Sequence, residues 1–96
     1  MEVFTRIFGE SSKTKLIEYL VYEEPTSFMK ADILKKNISW HTCKRIFLDL
    51  LELGLIVQII KVGNIEVYSV NEDNEIFKCL VKVKEDLEKI IGGGKT

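Results

Sequence analysis

Apolar positions along this chain follow two different periods, and the change of period divides it. Met1 to Gly9 carries Val3, Phe4, Ile7 and Phe8, a pattern that predicts one short helix with an apolar side. Ser11 and Ser12 stand where an N-cap is needed. Leu16, Ile17, Leu20 and Val21 then form a buried stripe that predicts a helix to about Glu24, ended by Pro25, Thr26 and Ser27. Residues 27 to 56 read as two helices joined by a tight turn. Ile33 and Leu34 are the apolar residues of the first, and Cys43, Ile46, Phe47, Leu50 and Leu53 recur at helical spacing in the second. Ser39 precedes that second run as its N-cap and Gly54 follows it as a left-handed stop, so the helix is expected over about residues 40 to 53. In the turn, Asn37 tolerates a positive φ and Ile38 can plug the angle between the helices.

Beyond Gly54 the period shortens. Leu55 to Val62 and Ile65 to Val70 are rich in Leu, Ile and Val, with Gly63-Asn64 between them, which reads as an antiparallel hairpin. Asn71 to Asn74 is a polar break with capping residues, and a last helix is expected from near residue 74 to 91. On it Ile76, Leu80, Val83, Leu87 and Ile90 are spaced four, three, four and three apart, a heptad-like seam widened by Phe77 and Val81. Gly92-Gly93-Gly94 ends that helix. It does not read as a phosphate loop, because it follows a helix and introduces no second helix.

After the short N-terminal helix, the order predicted is therefore three helices, a small β-hairpin and a C-terminal helix, a mainly α fold in a single domain over residues 1 to 96. A turn as short as Asn37-Ile38-Ser39 makes its two helices cross steeply, so Trp40, His41, Lys44 and Arg45 project away from the core. The arrangement is a helix-turn-helix, most often used to push its second helix into a DNA major groove, and a hairpin directly after it stands where a wing would.

Composition changes this picture in a few places. With 96 residues and 46 % apolar content the chain can bury one small core. Its apolar runs are far short of the roughly 18 residues of a membrane span, so no membrane partner is expected. The opening lacks the pattern of a secretory signal, which makes a cytoplasmic location the default expectation. A net charge of −1 argues against a simple basic nucleic-acid-binding protein. The distribution is uneven, however: Lys30, Lys35, Lys36, Lys44 and Arg45 face only Asp32 between residues 30 and 45, and the sign reverses from Asp49 to Glu52. Two cysteines and one histidine at these spacings make no zinc site, and neither a metal nor a cofactor is expected. Catalysis is not expected either. Asp49 lies about two helical turns from His41, and Cys43 is on another side of the same helix with a packing role.

The opening IFGESSKTKLIEYL, the segment ISWHTCKRIFLDLLELGLI and the hairpin VGNIEVYSVN followed by a seamed helix resemble the winged helix-turn-helix transcription regulators of archaea and bacteria, broadly of the MarR and ArsR kind. The resemblance covers about residues 7 to 91. It implies that Trp40, His41, Thr42, Lys44 and Arg45 enter the major groove and that Lys61, Gly63 and Asn64 at the wing tip approach phosphate or the minor groove. It also implies burial of Ile33, Ile38, Cys43, Ile46, Leu50, Leu55 and Ile56. Departures are Asn64 and Glu66 where such wings carry lysine or arginine, Leu34 where a small residue is common, and Asn37 where glycine is common. The cysteine, histidine and carboxylate cluster of metal-sensing relatives is missing, and metal sensing is not implied.

The expectation is a regulator that binds double-stranded DNA at an inverted repeat. Its DNA-facing set is Lys30, Lys35, Lys36, Ser39, Trp40, His41, Thr42, Lys44 and Arg45, with Lys61, Gly63 and Asn64 from the wing. A homodimer is expected through residues 74 to 91 and the N-terminal segment, using Val3, Phe4, Ile7, Phe8, Ile76, Phe77, Leu80, Val83, Leu87 and Ile90. The alternative is a winged helix that binds protein, with Trp40 as a hydrophobic contact.

Overall fold

A computed structural model describes residues 2 to 35 and 38 to 92. Helix α1 (Val3–Phe8) is followed by α2 (Ser12–Glu23), α3 (Lys30–Leu34) and α4 (Trp40–Glu52), then by strands β1 (Ile56–Val62) and β2 (Ile65–Val70), and by α5 (Glu75–Gly92). The chain is a mainly α-helical domain with a two-stranded antiparallel hairpin and a C-terminal helix, in a helix-turn-helix-like arrangement.

The expected caps are formed. The Ser11 hydroxyl accepts the Thr14 amide at 3.1 Å and the Ser39 hydroxyl accepts the Thr42 amide at 3.2 Å, each meeting one of the donors left open in a first helical turn. Helix α4 stops at Glu52, one residue short of the expected end, and Gly54 then takes φ +77°. A side chain at Gly54 would be strained by that φ, and its first carbon would also come within 2.7 Å of the Asn74 amide nitrogen. Asn74 caps α5, its Oδ1 accepting the Phe77 amide at 2.9 Å. Asn37 lies outside the described residues, whereas Ile38 is buried as the plug of the turn.

One continuous core includes Val3, Phe4, Leu16, Leu20, Val21, Ile33, Cys43, Phe47, Leu50, Ile56 and Phe77. At its centre Phe28, Phe47 and Tyr68 meet with ring centroids 5.0 to 6.1 Å apart, and Tyr19 adds an edge contact to Phe28 at 5.9 Å. Phe28 and Tyr68 exchange both backbone hydrogen bonds at 2.8 Å, so the segment before α3 adds a one-residue bridge to the inner edge of the hairpin. This bridge fixes the wing against the helix-turn-helix. A second tie runs through Tyr22, whose hydroxyl receives the Val3 amide at 3.3 Å and donates to Glu88 at 3.0 Å, fastening α5 to α1 and α2. Glu18, buried on α2, holds α1 by accepting the Thr5 amide.

Burial corrects part of the expected dimer surface. Val3, Phe4 and Phe77 are core residues, at most 4 % exposed, because α1 packs against both α2 and α5 and turns its first apolar pair inwards. Leu80 and Leu87 are partly buried against the same core. Ile7, Phe8, Ile76, Val83 and Ile90 are left exposed, and the last three recur every seven residues along α5.

The hairpin carries one irregularity that its sequence conceals. Gln58 pairs with Tyr68 but Ile60 pairs with Val67, leaving Ile59 as an extra residue in β1. Side chains alternate along a strand, so an inserted residue exchanges the two faces beyond it. Lys61 is thereby placed opposite Glu66, on the face that carries Tyr68. The pairs Ile60 with Val67 and Val62 with Ile65 fall on the opposite face, alongside Val57. Of the two turn residues only Gly63 has a positive φ, +60°, which is the type II′ pattern that a Gly-X pair suits.

Candidate nucleic-acid interface

Helix α4 has one buried and one free side. Cys43, Ile46, Phe47 and Leu50 fill the core. Trp40, His41, Lys44, Arg45, Leu48 and Glu52 are exposed, and at about 100° per residue they share one face of the helix. Trp40 is 52 % exposed and Leu48 58 %. The face begins aromatic and basic, becomes apolar at Leu48 and ends acidic at Glu52.

The expected contact residues are in different situations. Trp40, His41, Lys44 and Arg45 come together on the free face. Ser39 and Thr42 are used locally, since the Ser39 hydroxyl donates to Thr42 Oγ1 at 2.8 Å while accepting the Thr42 amide. Lys35 is exposed at the end of α3. Lys36 lies outside the described residues.

Lys30 is held inside. Its ammonium lies 5.7 Å from the Trp40 ring centre and 5.8 Å from those of Phe47 and Tyr68, and it donates to Glu66 Oε1 at 3.3 Å. Only 18 % of its side chain is exposed, so it supports the cleft between α3, α4 and the wing instead of extending into solvent. Lys61 also donates to Glu66, at Oε2, 3.4 Å away. Tyr68 completes the carboxylate's set, donating its hydroxyl to Oε1 at 2.8 Å. The Tyr68 hydrogen bond, followed by Lys30, holds the Glu66 carboxyl below its usual range. Burial, followed by the bond to Glu66, raises the Tyr68 phenol.

Two neighbours of this face were not anticipated. Ser11, Ser12 and Lys13 at the start of α2 border a groove of about 620 Å³ shared with Thr42, Arg45, Leu48 and Asp49. Lys13 forms an ion pair with Asp49, which ties the start of α2 to α4 and partners the acidic residue that follows Leu48. Leu48 itself lies seven residues after His41 and four after Lys44, a helical spacing legible in the sequence once those two are assigned to the free face. No sequence signal marks Lys13, because its partner is 36 residues away.

The thiol of Cys43 is fully buried, and burial raises its pKa. Among the described residues no three His, Cys, Asp or Glu side chains converge to hold a metal ion. No described helix is long and apolar enough to cross a membrane.

A recognition-type helix exposed beside a hairpin is a shape consistent with nucleic-acid-binding modules in general. Compared with family models, with curated proteins and with solved structures, the chain matches none.

Proposed function

We propose that this chain is a non-catalytic, sequence-specific regulator that binds double-stranded DNA as a homodimer, with α4 in the major groove. The observation that carries this reading is the free face of α4. An exposed indole, an imidazole, an ammonium and a guanidinium, with an apolar side chain one turn on, offer stacking, base-edge and phosphate contacts on a helix that the core holds rigid. Arg45 has the paired donors that suit a guanine edge, Lys44 suits phosphate as a flexible point charge, and Leu48 suits a thymine methyl group. Ile76, Val83 and Ile90, flanked by Leu80 and Leu87 and joined by Ile7 and Phe8, are the surface through which two copies would associate. Two-fold pairing would present the helices to successive major grooves, roughly 34 Å apart, and calls for an inverted repeat.

One observation favours a second reading, in which the domain binds protein. The outer face of the wing is apolar, with Val57, Ile60, Val62 and Ile65 all exposed. Titration of the purified chain against mixed duplex fragments over a range of salt separates the two. Retarded complexes that weaken steeply as salt rises support the DNA reading; no retardation at any salt overturns it and leaves the apolar wing as the functional surface.

A further inference from the structure

The cleft between α3, the start of α4 and the wing tip has a volume of about 470 Å³ and is bordered by Lys30, Trp40, Lys44, Asn64 and Glu66. A duplex lying along α4 with its flank on the wing would pass over it. At this cleft the Glu66 carboxylate pairs with the ammonium of Lys30, which borders it, and with that of Lys61 on β1 beside it. Resting on the DNA reading above, we propose that Glu66 is a selectivity residue: braced by Lys30, it withholds Lys61 from phosphate, so that DNA is engaged through α4 and binding that ignores sequence is kept weak.

The carboxylate is held in place by the core. Tyr68, 2 % exposed and packed between Phe28 and Phe47, donates to Oε1, so Glu66 cannot swing aside without giving up that bond. The extra residue at Ile59 sets Lys61 directly opposite it. Lys30 approaches from beneath, fixed among three rings. The two lysines are not equivalent. Lys61 is 62 % exposed and is free to turn towards a phosphate once its partner is neutral, whereas Lys30 has little room to follow. Sequence-independent affinity follows the number of phosphates neutralised, with a salt slope of about 0.9 per contact in log affinity against log salt. A wing whose lysine is already paired adds position and almost no such affinity.

The test is a two-by-two comparison of wild type, Glu66→Gln, Lys61→Ala and the double variant, titrated with a random-sequence duplex across sodium chloride concentrations. Glutamine keeps an acceptor for the Tyr68 hydroxyl, and circular dichroism checks that the fold is retained. Glu66→Gln is expected to bind random duplex about tenfold more tightly at low salt, with a slope steeper by about one. Lys61→Ala is expected to change wild type little and to remove the gain in the Glu66→Gln background, an interaction that a merely structural Glu66 would not produce. Unchanged affinity and slope in Glu66→Gln overturn the proposal. A loss of a full unit of slope on Lys61→Ala in wild type does so as well, even if Glu66→Gln does not fold. Duplex bound by none of the four chains overturns the DNA reading and this inference together, whereas wild-type binding with either of the preceding results overturns the inference alone.

Discussion

The side-chain amide of Asn74 donates to the carbonyl of Leu53 at 3.0 Å, while its carbonyl oxygen accepts the Phe77 amide at 2.9 Å. One residue thus closes the end of α4 and opens α5, joining the two helices across 21 positions of sequence. Asn74→Ala should lower stability by about 1 to 2 kcal/mol, the usual cost of a lost N-cap with a second bond removed. Asn74→Asp should keep the α5 cap and lose the bond to Leu53, giving an intermediate value. Urea denaturation followed by circular dichroism measures both.

Gly54 should tolerate no side chain. Gly54→Ala combines the cost of φ +77° with a contact of 2.7 Å to the Asn74 amide. Its destabilisation should therefore exceed the roughly 1 kcal/mol of a left-handed alanine alone. In the Asn74→Ala background the same change should cost less, because the atom it meets is gone. Additive losses in that double-variant cycle would rule out the contact as the reason for glycine here.

On DNA, Arg45→Ala should relax preference at one base pair at a cost of about 1 to 3 kcal/mol for the best site. Lys44→Ala should weaken specific and random duplex alike and reduce the salt slope by about one. Affinities for a matched site and its single-base variants distinguish them. An Arg45→Ala protein with unaltered affinity and preference would remove that residue from base reading.

For association of two copies, Val83→Asp with Ile90→Asp is the appropriate double change, since both side chains are exposed whereas Leu80 and Leu87 pack partly on the core. The variant should sediment as a folded monomer while the wild type sediments as a dimer at tens of micromolar. A wild-type monomer at that concentration would dispose of the homodimer.

Acid should loosen the wing through Glu66. Its folded pKa is lowered, first by the Tyr68 hydroxyl and then by Lys30, so the unfolded chain takes up its proton at the higher pH. Its stabilisation is present above the ordinary glutamate value of about 4.3 and is lost as pH falls through the depressed folded value. Between pH 6 and about 3, wild type should therefore lose more stability than Glu66→Gln does, and equal losses would show that the carboxylate is not held this way.

Much of the fold was legible because it is local. Ser11, Ser39 and Gly54 announce helix boundaries through their own chemistry, and the period of Cys43, Ile46, Phe47 and Leu50 determines which side of α4 is buried. What was not legible depends on distant partners. Lys30 reads as one of five cations, and only the meeting of Trp40, Phe47 and Tyr68 around it turns it into a core support. Val3, Phe4 and Phe77 belong to apolar patterns that a dimer seam or an internal core explains equally well, and the packing of α1 against α5 decides for the core. Glu18 gives no sign in sequence that a carboxylate on α2 will be buried against the Thr5 amide.

Ile59 bears on how such a wing could change over generations. Substitutions in β1 alter one side chain at a time, but moving the extra residue from the strand into the turn would shift the reading frame of the strand's faces: Ile60 would face Glu66 and Lys61 would pair with Ile65 on the solvent side, whereas deleting Ile59 would leave Lys61 opposite Glu66. The charge that the wing shows to α4 is thus governed by where the extra residue sits more than by residue identity. Two relatives with nearly the same hairpin composition could present opposite faces to the same partner.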